Sequence, residues 1–67
     1  MKTALELLAL APREQITRIK IICRCIAKGE WTEAEHHLQN ICDEEGDSPF
    51  GLDAGELLMQ CRLNKGG

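Results

Sequence analysis

The feature that most restricts this chain is a pair of matching apolar stripes on either side of a short glycine link. Upstream of the link, Ile16, Ile19, Cys23 and Ile26 recur at three- and four-residue steps, with Ile22 and Ala27 widening the stripe. Downstream, Trp31, Ala34, Leu38 and Ile41 keep the same steps, with Cys42 alongside. Such spacing lines one side of an α-helix. Only Gly29–Thr32 separates the stripes, so the two helices must turn back on each other as an antiparallel αα-hairpin. The spacing predicts helices over 12–28 and 33–45.

The punctuation around them agrees. Thr3-Ala4-Leu5-Glu6 and Thr32-Glu33-Ala34-Glu35 have the capping-box form, and Asp53-Ala54-Gly55-Glu56 is an Asp-led version. Leu52 and Leu57 flank that last box at hydrophobic-staple spacing. Pro12 suits a first helical turn, where its missing N–H has no intrahelical acceptor. Gly29, after the cation Lys28, and Gly46 mark helix ends, and Pro49 blocks resumption. The expectation is an all-α single domain, 1–67. Short helices over 4–10 and 54–63 flank the central hairpin, with a loop over 46–52, giving three to four helices.

A chain of 67 residues buries a thin core and usually needs a staple, a metal or a second chain. The only aromatic rings besides His36 and His37 are Trp31 and Phe50, which suits helix-on-helix packing better than sheets. The net charge of −3 weighs against non-specific binding to nucleic acid or membranes. Lys2 and the leucines after it have a secretion-signal flavour, but Glu6 interrupts the apolar run and Leu7–Ala11 is too short for one. No segment is long enough to span a bilayer. The expected location is cytoplasmic.

Charge is split between the two central helices. Residues 12–28 carry Arg13, Arg18, Lys20, Arg24 and Lys28 against Glu14 alone, while residues 30–47 carry seven carboxylates and no Lys or Arg. Opposite charges on facing helices help set register, at about 0–1 kcal/mol for each exposed pair. The five cations also raise RNA contact as an alternative function. Reading DNA by a helix-turn-helix is disfavoured, because Glu33 and Glu35 open the helix that would enter the groove.

Chemistry-bearing patterns are few. Cys23, Cys25, Cys42 and Cys61 contain no C-x-x-C pair, and cysteines two apart on a helix point about 160° away from each other. They read as core thiols. Adjacent His36 and His37 lie about 100° apart on a helix and cannot share a ligand face. A mixed Cys42/His37 or Cys23/His37 metal site is the remaining alternative without a motif behind it, so neither metal nor cofactor is expected. There is no phosphate-binding glycine loop, nucleophile elbow or H-E-x-x-H. The chain is not expected to be an enzyme.

The excess of apolar residues is more telling. Ile21 and Cys25 lie about half a turn from the main stripe of their helix. Together with Leu7, Leu10, Leu58 and Met59 they exceed what so small a fold can hide. These six form the expected partner-binding set of a small non-catalytic interaction module: a regulator, inhibitor or adaptor that binds a protein partner or itself as a homodimer.

The stretch Ile22–Cys42, with Gly29 ending one helix, Trp31 just after it and Ala34 three residues on, resembles the centre of a tetratricopeptide-type helix pair. The family's first-helix Trp/Leu/Gly pattern is missing and no second repeat follows. What the resemblance implies is therefore the αα-hairpin itself, not an array.

Overall fold

The computed structural model describes residues 3–66, which leaves Lys2 outside the described residues. Four helices follow in order: α1 (Ala4–Leu10), α2 (Ile16–Lys28), α3 (Trp31–Glu45) and α4 (Pro49–Gly66). A single 3-10 turn, Arg13–Gln15, leads into α2. No strand occurs among the described residues, and none of their helices is long and apolar enough to cross a membrane.

The first helix begins as its sequence announces. Thr3 Oγ1 accepts the Glu6 N–H at 3.3 Å, and Glu6 Oε1 accepts the Thr3 N–H at 3.5 Å, a reciprocal capping box. Pro12 stands one turn ahead of α2, and its carbonyl accepts the Gln15 N–H at 2.9 Å, so the predicted helix over 12–28 opens as a 3-10 turn. At the other end Gly29 adopts φ 75°, ψ 19°. Its N–H donates to the Ile26 carbonyl at 3.1 Å, and the Glu30 N–H reaches back to Cys25 at 2.8 Å. This left-handed cap satisfies carbonyls that the helix end would otherwise orphan, and glycine takes it without a Cβ clash.

The turn is so tight that α3 starts at Trp31, before the expected box at Thr32. That box does not form. Glu35 instead turns across to α4, where Lys65 Nζ lies 3.0 Å and Arg62 Nε 3.4 Å from its carboxylate.

The expected loop over 46–52 shrinks to a three-residue turn, and the last helix begins at Pro49 rather than at 54. The Ser48 hydroxyl accepts the Gly51 N–H at 3.0 Å and itself donates to the Glu45 carbonyl at 2.9 Å. Ser48 is thus the N-cap and Pro49 the first helical residue, the position where proline costs nothing. Gly51 makes the turn possible: a Cβ there would sit 1.7 Å from the Glu45 carbonyl oxygen. Asp53 and its box fall inside α4, and Leu52 is exposed rather than stapled.

Packing follows. The α2–α3 hairpin is antiparallel, because Gln15 and Arg18 at the start of α2 bond Glu44 at the end of α3, at 3.2 and 3.0 Å. The α3–α4 pair is packed as a second, more intimate hairpin. Gly55 lies so near α3 that a Cβ would stand 3.8 Å from Cys42 Sγ. Ile19 and Ile22 from α2, Ala34, Leu38 and Ile41 from α3, and Ala54 and Cys61 from α4 are fully enclosed, capped by Leu7 from α1. The buried side of α2 is centred on Ile22, with Ile16, Cys23 and Ile26 at its margins.

Candidate interaction surfaces

That rotation of α2 decides the fate of the second apolar strip. Cys25 turns into the core and is 6% exposed, while Ile21 stays 38% exposed. Of the other expected partner residues, Leu7 and Leu58 are buried and serve as core. Both belong to the single core that α1 and α4 close over the hairpin. Leu10 and Met59 remain exposed.

Three exposed side chains escaped the sequence reading: Leu5 on α1, and Leu52 and Leu63 on α4. The last two become legible once α4 is begun at Pro49. At 100° per residue, Leu52, Met59 and Leu63 fall within about 40° of one another and extend over about 16 Å of helix. They fall in one line along the outward side of α4, with Gly55 and the edge residue Glu56 between Leu52 and Met59. Leu57 and Cys61, on the opposite side of the same helix, are buried.

The basic residues also separate. Arg18 is spent inside the fold, with its guanidinium 3.0 Å from both Glu44 and the nearly buried Gln15. Arg13, Lys20, Arg24 and Lys28 are exposed. Lys20, Arg24 and Lys28 line the side of α2 opposite Ile22 together with Thr17 and Ala27, and Arg13 stands in the turn ahead of it next to the exposed Glu14.

All four cysteines are free thiols. Burial pushes each of their pKa values up, and Glu30 and Glu33 add to the rise at Cys25. Thiols so placed are poor nucleophiles. No three His, Cys, Asp or Glu side chains among the described residues converge to hold a metal ion. His37 leans toward Glu33 with Nε2 4.0 Å from the carboxylate, and the His36 and His37 rings meet edge to face at 6.0 Å. An apolar cleft of about 270 Å³ opens where the start of α1 meets Ile26, Trp31, Leu57 and Cys61.

Two carboxylates are tuned by the packing. The Lys65 ammonium and the Arg62 guanidinium hold Glu35 below its ordinary pKa, and bonds from Gln15 and Arg18 do the same for Glu44. Each ties one end of a helix pair together: Glu35 the start of α3 to the end of α4, Glu44 the end of α3 to the start of α2. No family model, no curated protein and no solved structure matches this chain.

Proposed function

We propose that this domain is a non-catalytic protein-interaction module of the regulator, inhibitor or adaptor kind, and that the outward side of α4 is what a partner reads. The observation that carries this is the stripe of Leu52, Met59 and Leu63, which are 63%, 63% and 69% exposed. Complete burial of such a side chain is worth about 1.5–3 kcal/mol. A helix that spends three of them on solvent in so small a fold has a strong incentive to be covered. Spacing of seven and then four residues suits a helix laid alongside. Leu10 and Ile21 are exposed apolar positions outside this stripe.

The test is a photo-crosslinking amino acid at position 56, on the edge of the stripe, in the native host, set against the same crosslinker in a Leu52→Ser/Met59→Ser/Leu63→Ser variant. A defined crosslinked species that disappears in the variant, while the circular dichroism spectrum is kept, supports the reading. The same species surviving in the variant would refute it.

A further inference from the structure

A second face carries a different pattern. Lys20, Arg24 and Lys28 stand one turn apart on α2, about 6 Å, with Arg13 about two turns before them. Beside this row, the outward side of α3 presents Glu33, His36, Asn40 and Asp43 at three- and four-residue steps, and Asp47 extends the line into the turn. Between the two helices opens a groove of about 370 Å³, walled by Thr17, Ile21, His36 and Asn40 with the oppositely charged Glu14 and Arg18 among them, and the charged members of the two rows lie outside it on either side. Their relative level is fixed by the Gln15–Glu44 bond. It sets 24–28 of α2 beside 31–35 of α3, and Arg13 beside the end of α3.

We propose that this face is a self-association surface and that its occupant is a second copy of the chain, related by a two-fold axis parallel to α2 and α3. That axis lays α2 of each copy over α3 of the other, at the same level. The second copy's Glu33 then falls between Arg24 and Lys28, and its Asp47 falls beside Arg13. Half-exposed Ile21 meets its own counterpart across the axis, so an apolar centre is framed by complementary charge. The cation row is free to do this, since Arg18 alone of the α2 cations is paired within the described chain. Nucleic acid suits the row less well. The net charge is −3, an acidic row runs alongside, and Trp31 and Phe50 are half-buried and buried, so neither of the two large aromatic rings offers a base-stacking platform. This inference goes beyond the α4 reading and uses a different surface.

Exposed ion pairs are screened by salt, so the complex is weak and salt-sensitive. Sedimentation equilibrium at about 1 mM protein should give the dimer mass in about 20 mM NaCl and the monomer mass in about 500 mM. Arg24→Glu and Glu33→Arg should each raise the dissociation constant about tenfold or more. An equimolar mixture of the two should recover association. Ile21→Glu should abolish it with an unchanged melting curve. A monomer at low salt would overturn the proposal. So would a dimer that ignores these changes but dissolves in the Leu52/Met59/Leu63 variant, or a monomer that binds labelled single-stranded RNA through Arg24.

Discussion

Two glycines four residues apart on α4 should respond oppositely to the same change. Gly51→Ala drives a methyl group to 1.7 Å from the Glu45 carbonyl oxygen, and backbone cannot swing aside as a side-chain tip can. The expected cost is about 2–4 kcal/mol, beyond the gain of about 1 kcal/mol that alanine brings to a helix interior. Gly55→Ala meets Cys42 Sγ at an ordinary 3.8 Å, so that gain should survive as about 0.5–1 kcal/mol of added stability. Urea unfolding of the two variants reads both signs in one experiment. Leu38→Ala, at a fully enclosed position, should lose about 2–5 kcal/mol, because transfer and cavity terms add.

Among the elements, the joints carry the pH dependence. Glu35 and Glu44 titrate below the ordinary carboxylate value in the folded chain. Their contribution is therefore complete above the unfolded value of about 4.3, and it is lost as pH falls through the lowered folded values. Melting curves from pH 7 down to pH 3 should show stability dropping in that acid window, and Glu35→Gln should flatten the drop. Ser48→Ala, which removes the cap of α4, should cost about 1 kcal/mol.

The helices were legible where a local rule had no rival. The capping box at Thr3, the left-handed Gly29 and the stripe through Ala34, Leu38 and Ile41 all act as their spacing says. Misreading began where one residue served two rules. Pro49 and Gly51 look like loop residues, yet one starts a helix and the other admits a close carbonyl. Asp53 and Thr32 look like caps but lie inside helices whose starts are set by Ser48 and by the two-residue link. The interaction surface inherited those errors. Leu52 and Leu63 join Met59 only if α4 is long, and Cys25 leaves Ile21 only if the rotation of α2 is known. Spacing alone cannot supply that rotation.

For the whole molecule, the central question is how a 67-residue chain manages without a covalent staple. Its four helices enclose one shared core, and two of the thiols, Cys25 and Cys61, lie inside it at 6% and 0% exposure. A thiol-specific reagent at neutral pH should therefore reach the half-exposed Cys23 and Cys42 first. Cys25 and Cys61 should react at a rate set by opening of the fold, accelerating with urea. Equal rates for all four would mean that α1 and α4 do not cover the hairpin as described.

The turn at Ser48 and Gly51 also has a bearing on time. Its three residues join the most closely packed helices through contacts of short sequence separation, and such contacts cost little loop entropy and form early. The α3–α4 unit should accordingly be the folding nucleus, with α2 and then α1 docking onto it. Stopped-flow refolding would show this as Gly51→Ala slowing folding while leaving the unfolding rate nearly unchanged, and Leu7→Ala doing the reverse.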